Sequence, residues 1–176
     1  MIKRNEYFYM IIDPETMTWM LKDPKCSDPK FNIWSFVHGI KYCGKDNFNC
    51  KKHMDGSSQL ITLSTITTTP IIHQSIAELF LEEENQNLIQ LIPIEIENEN
   101  SKYFILNITN TVDCIIEKNG KKQFDTTKFF GNSIFRIKND KTVVIASRAI
   151  KEKFDNIELH GVIFHDLLDM SFFHLV

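Results

Sequence analysis

The second half of the chain consists of short runs of β-branched, aliphatic and aromatic residues, each closed by a turn signal. Runs this short read as strands, because a helix needs about ten residues or more to bury a useful stripe. Asn119-Gly120 stands between Cys114-Ile115-Ile116 and Gln123-Phe124. Both turn residues tolerate the positive φ that a two-residue hairpin demands. Ile134-Phe135-Arg136-Ile137, the turn Asn139-Asp140 and Thr142-Val143-Val144-Ile145 form a second hairpin. Leu88 to Glu97 and Lys102 to Thr109 form a third, joined by the polar link Asn98-Glu99-Asn100-Ser101.

Helices enter twice. Thr69-Pro70 predicts a helix start, with Thr as cap and Pro in the first turn. Ile71, Ile72, Ser75, Ile76, Leu79 and Phe80 form its stripe, and Glu82-Glu83-Glu84 its end. Ser147 caps a second helix carrying Ile150 and Phe154, and Gly161-Val162-Ile163-Phe164 closes as a strand. Strand–helix–strand thus occurs twice, at about 60–97 and 142–166, as an internal duplication would produce. Glu6 to Ile12 and Leu60-Ile61-Thr62-Leu63 read as further strands. The region of about 22–56 is irregular, broken at Asp23-Pro24, Ser27-Asp28-Pro29, Gly39, Gly44 and Asp46-Asn47. Its apolar knot is Phe31, Ile33, Trp34, Phe36 and Val37, an anchor of largely aromatic residues, and a loop this long is often a functional surface. The apolar end, Leu167 to Val176, is expected to dock on the body. Hairpins with two main helices favour a single α+β domain over residues 1–176, its sheet mixed or antiparallel, rather than a doubly wound parallel sheet.

The formal net charge is −3, which disfavours non-specific nucleic-acid binding and suits a basic protein partner. Tyr7 to Ile12 is too short for a secretory signal, and no run approaches the ~18 apolar residues of a membrane span. A cytoplasmic protein is expected, with Cys26, Cys43, Cys50 and Cys114 as free thiols.

Chemistry-bearing clusters are sparse. No nucleophile elbow, phosphate-binding glycine loop, dinucleotide fingerprint or His-Glu-x-x-His is present. Cys43-x6-Cys50-x2-His53, with Cys26 and His38 nearby, has the ligand types zinc prefers but lacks the tight Cys-x2-4-Cys knuckle. Unrelated loop residues are the simpler reading, so no metal and no cofactor is expected. His160-x4-His165-Asp166 flanks the last strand, where the odd spacing sends the two imidazoles to opposite faces. Leu63-Ser64-Thr65 followed by Glu95-x-Glu97 faintly resembles the Ser-Thr-Ser and Glu-x-Glu elements of ADP-ribosyltransferases. An enzyme would combine Glu95 or Glu97 with His160 or His165 in one concave site. Glu82, Glu83, Glu84, Glu95 and Glu97 are the densest negative groups: solvated faces by default, or a steering surface for a basic partner. Trp34, with Phe36, is read as a core anchor first and as an exposed partner contact second.

The order of segments in the second half carries a resemblance. Tyr103-Phe104-Ile105-Leu106-Asn107-Ile108, Val112-Asp113-Cys114-Ile115, Ile134-Phe135-Arg136-Ile137, Val143-Val144-Ile145-Ala146-Ser147 and Leu159-His160-Gly161-Val162-Ile163-Phe164 follow at steady spacing. This succession, with Trp34-x-Phe36 and Gly39, resembles the eleventh numbered immunity-protein family of bacterial polymorphic toxin systems. A Thr-rich run, Thr65 to Thr69, stands where that family has Val-Ser before the first helix, and the loop from Lys22 to Gly56 departs from its pattern. The resemblance implies an α+β protein that neutralises a cognate toxin domain by binding it, without catalytic residues of its own. A small enzyme acting on nucleotides or modified proteins, and a non-enzymatic adaptor, are the alternatives.

Overall fold

The computed structural model describes residues 6–12, 20–21, 25–26, 31–32, 34–45, 47–52, 61–64, 70–157 and 162–167. In chain order these form β1 (Tyr7–Ile12), β2 (Met20–Leu21), β3 (Lys25–Cys26), α1 (Trp34–Val37), β4 (Phe48–Cys50), β5 (Ile61–Ser64) and β6 (Pro70–His73). A helical segment follows in three pieces: α2 (Gln74–Ala77), a 3₁₀ turn (Glu78–Phe80) and α3 (Leu81–Asn85). Then come β7 (Ile89–Ile96), β8 (Tyr103–Ile108), β9 (Thr111–Val112), β10 (Ile115–Lys118), β11 (Lys121–Phe124) and a second 3₁₀ turn (Thr126–Phe129). The chain continues through β12 (Ile134–Ile137), β13 (Asp140–Ser147), α4 (Arg148–Asp155) and β14 (Val162–Asp166). The α+β class and all three hairpins of the sequence reading are present. Asn119 and Gly120 both hold positive φ (55° and 69°) at the β10–β11 turn. The Ser147 hydroxyl caps α4 by accepting from the Ile150 amide.

One boundary is corrected. Pro70, Ile71 and Ile72 belong to strand β6, and the helix begins four residues later than Thr69-Pro70 implied, with His73 Nδ1 accepting from the Ser75 amide. The strand prevails because Ile71 and Ile72 are both fully buried, one on each covered face of the sheet. A surface helix would hide only one stripe. Thr69 itself lies outside the described residues, as do Ile33, His53, His160 and Ser64's side chain.

Two sheets share one topology. The first runs β2-β5-β6-β8-β7-β4-β3 and the second β14-β1-β13-β12-β9. Within each, a short strand lies parallel to the first arm of a hairpin: β2 on β5, and β9 on β12. The second arm, β6 or β13, leads without a loop into the helix, and the returning strand, β7 or β14, leaves a one-strand gap. That gap is filled antiparallel by β8 in the first sheet and by β1 in the second. Residues 7–96 and 103–166 are therefore two copies of one unit, and each unit's first strand completes the other unit's sheet. The register matches residue by residue: His73 pairs with Tyr103 and Ile72 with Phe104, as Ser147 pairs with Tyr7 and Ala146 with Phe8. Pro70-Ile-Ile-His-Gln-Ser-Ile-Ala-Glu-Leu-Phe thus aligns with Val144-Ile-Ala-Ser-Arg-Ala-Ile-Lys-Glu-Lys-Phe, and Tyr7-Phe8 with Tyr103-Phe104.

The central core joins the copies through equivalent positions, among them Ile76 with Ile150 and Leu106 with Met10. Phe80 meets Phe154 edge-on at 5.7 Å. The outer face of each sheet is covered by the segment inserted between the short parallel strand and the hairpin. In the first copy Phe31, Phe36, Tyr42 and Phe48 stack over Ile71 and Ile105. In the second, Phe124 and Phe129 stack over Tyr7, Phe135 and Ile145. The apolar knot expected near Phe36 is thus the lid of one sheet, although Trp34 stays outside it. Leu167 packs on the second lid's cluster, and 168–176 lie outside the described residues.

Candidate partner-binding surface

The buried charged groups are engaged in building the fold. Arg136 is 4% exposed and has no carboxylate partner among the described residues. Its Nε donates to the Ile108 carbonyl at 3.0 Å, Nη1 to Lys141 at 2.6 Å and Nη2 to Phe36 at 3.4 Å. Burial lowers its pKa to about 10. Gly39, at φ +64°, makes room for it: a Cβ there would lie 2.5 Å from the Ile108 carbonyl and 3.1 Å from Arg136 Cδ. Asn107 Nδ2 donates to the Ile40 carbonyl and to Gln90 Oε1, while Gln90 accepts from the Tyr42 amide and donates to its carbonyl. Residues 36–42 are thereby tied to both copies of the repeat.

The acidic candidates separate on inspection. Glu83 is 4% exposed and its two oxygens each lie 3.0 Å from Lys153 Nζ, so it bridges the two helical segments and offers nothing to a partner. Glu84 accepts from the Leu91 amide at 2.9 Å and closes the free edge of β7. Glu97 pairs with Lys51 at 2.9 Å, and Glu99 pairs with Lys52. Glu82 is exposed and accepts from Gln86, and Glu95 is exposed on β7. The local negative field is therefore weaker than the sequence implied, because lysines from remote segments fold onto it.

Glu95 also borders an open cavity of about 500 Å³ between Asn47, the β7–β8 turn and Tyr103. A second, of about 420 Å³, is lined by Lys41, Lys45, Glu84 and Asn87 and shares Asn47 and Pro93 with the first. The two make one shallow trough along β7. The register puts Leu63 level with Leu91 across two intervening strands, so Ser64 and Glu95 lie about 14 Å apart sideways and toward opposite strand ends. His165 is exposed on β14, in the other sheet from Glu95 and Glu97. The serine–glutamate constellation is not assembled, nor is any pairing of these glutamates with His165 in one site.

The cysteines also diverge. Cys50 and Cys114 are buried, and burial pushes their thiols up to about 12 and about 11, Asp113 adding to the latter. Cys26 lies beside the Tyr42 hydroxyl, and Cys43 is exposed. Among the described residues no three His, Cys, Asp or Glu gather as a metal site.

Among the described residues, two large aromatic rings remain outside. Trp34, expected first in the core, is 45% exposed at the start of α1, where its amide donates to Asn32 Oδ1; Phe36 takes the buried place. Phe130 is 86% exposed. Its neighbour Phe129 is fully buried, with its carbonyl accepting from the Tyr7 hydroxyl at 2.7 Å. Asp125 caps the turn through the Thr127 amide and hydroxyl. Asn132 Nδ2 donates to the carbonyls of Lys128 and Phe130, its Oδ1 accepts from Asn110, and Gly131 takes φ +80°. A rigid frame therefore presents a bare phenyl ring.

No family model matches the chain, and no curated protein matches its sequence. Among the described residues no helix is long and apolar enough to cross a membrane.

Proposed function

We propose that this chain neutralises a cognate bacterial toxin domain by direct binding in the cytoplasm, as its resemblance to the immunity family implies. The observation that carries the reading is the pair of covering segments. Each buries aromatic rings, Phe36 and Phe48 in the first and Phe129 in the second, and holds another in solvent, Trp34 or Phe130. Exposed rings on braced backbone are what a tight protein interface uses as anchors, since little conformational entropy remains to be lost on binding. Gly39, Tyr103, Asn107, Arg136 and Ser147, all among the residues carrying the resemblance, are framework positions. They would preserve a scaffold while the exposed surface varied with each toxin.

The test is protection. The toxic C-terminal domain encoded beside this gene is expressed in a susceptible bacterium with and without the chain. Growth restored by the chain, with a stable complex of the purified pair, is the expected result. A neighbouring toxin that kills equally in its presence refutes the reading, and a lone gene favours an adaptor role.

A further inference from the structure

We infer that the β10–β11 hairpin and the Asp125–Asn132 loop together form the arm that grips the partner, with Phe130 entering an apolar pocket whose rim is acidic. This rests on the binding function proposed above and names the part of the molecule that performs it.

The repeat supplies an internal comparison. In the first copy the inserted segment is absorbed into the sheet: β4 pairs with β7 and β3 with β4. In the second copy the inserted hairpin pairs only with itself, and Ile116 to Gly120, Lys122 and Gln123 are exposed. Only its root is held, by Ile115 and Phe124 against the Phe129 cluster. A marginal two-stranded ribbon extending past its own lid contributes little to the fold. Directly after it the chain enters the braced turn that bares Phe130.

The charge of the arm runs against that of the molecule. Residues 115–133 hold Lys118, Lys121, Lys122 and Lys128 against Glu117 and Asp125, in a chain of net charge −3. Glu117 lies opposite Lys122 in the hairpin register, and Asp125 is engaged with Thr127. Among the described residues Lys118 and Lys128 form no ion pair. A bare ring carried on a segment with uncompensated ammonium groups fits an apolar pocket bordered by carboxylates, where the charges steer the encounter and the ring sets the residence time. The partner's contact face is therefore acidic, the opposite of what the glutamate-rich segments of the sequence suggested.

The experiment titrates an inactive form of the neighbouring toxin domain with the full chain by calorimetry, at low and moderate salt. Phe130→Ala is expected to weaken binding about 30-fold, the loss typical of a central anchor. Lys118→Glu with Lys128→Glu is expected to weaken it about tenfold and to flatten the salt dependence. Leu81→Ala, an exposed apolar change on α3, serves as the control and stays within about twofold, because rim or remote truncations are near neutral. Thermal melts coincident with wild type show that the variants fold. Tight wild-type binding that both arm variants retain overturns the arm while leaving the proposed function intact. No binding by the wild-type chain overturns both. A homodimer that Phe130→Ala dissociates, with toxin affinity unchanged, also overturns the arm, because its occupant is then a second copy.

Discussion

Arg136 lies at a point where carbonyls from three separate segments converge, and it stays charged there without a counter-ion among the described residues. Its removal leaves those acceptors buried, so Arg136→Met is expected to lose about 2–4 kcal/mol in urea denaturation. Arg136→Lys should recover little, since an ammonium cannot span three diverging acceptors. A methionine variant as stable as wild type would refute this role. Gly39→Ala should be comparably harmful, because its Cβ would collide with the Ile108 carbonyl in a left-handed conformation. Within Ile134-Phe135-Arg136-Ile137 nothing marks the arginine as structural, since two of its three partners lie 28 and 100 residues away. The buried thiols give a pH signature. Cys50 and Cys114 titrate near 9 when unfolded and at about 12 and about 11 when folded, so the unfolded chain releases protons first as pH rises. Stability contributed by the neutral thiols is complete below pH 9 and declines above it. Between pH 9 and 10 the melting temperature should fall, although Arg136, with its pKa lowered to about 10, acts with the opposite sign and blunts the fall toward pH 10. A Cys50→Ala, Cys114→Ala double variant should show a flatter profile, and an equally steep one would assign the slope to other groups.

At the scale of elements, the strands, the Asn119-Gly120 turn and the Ser147 cap were legible because each depends on neighbours within a few residues. The first helix start was not, since Thr-Pro suits a cap and an edge of a strand equally, and only the cover on both sheet faces decides. The same distance effect hid the fate of the acidic run. Lys153 reaches Glu83 from 70 residues away, and its Nζ also donates to the Leu79 carbonyl at 2.7 Å. Glu83→Ala should cost about 1–3 kcal/mol, less than a fully buried pair because Lys153 is partly solvated. The double change Glu83→Leu with Lys153→Leu should return most of that loss, and a double variant worse than the single would argue against an isolated pair. The β10–β11 ribbon makes the reverse prediction. Replacing Glu117–Lys122 with a two-residue Asn-Gly turn should change stability by less than about 1 kcal/mol, within the range of surface changes. A collapse of the melt would show that the ribbon supports the lid.

Across the whole molecule, the duplication was visible in outline as two strand–helix–strand patterns, but its interlocking was not. Local periodicity reports that a strand exists and is silent about which sheet it completes. Because β1 lies between β13 and β14 while β8 lies between β6 and β7, neither copy holds a complete sheet alone. A chain divided between Glu99 and Asn100 is therefore expected to give two fragments that lack a cooperative melt separately and regain one on mixing, as followed by circular dichroism. A fragment that melts cooperatively alone would contradict the interlock. The arrangement also imposes an order on biosynthesis. The first sheet can close once β8 has emerged, but β1, made well before its partners, meets β13 only after Ser147 and β14 only after Asp166. At about 5–20 residues synthesised per second this leaves Tyr7-Phe-Tyr-Met-Ile-Ile without a sheet for on the order of ten seconds. During that interval an apolar N-terminal strand is open to chaperones, and to the same strand on a neighbouring nascent chain.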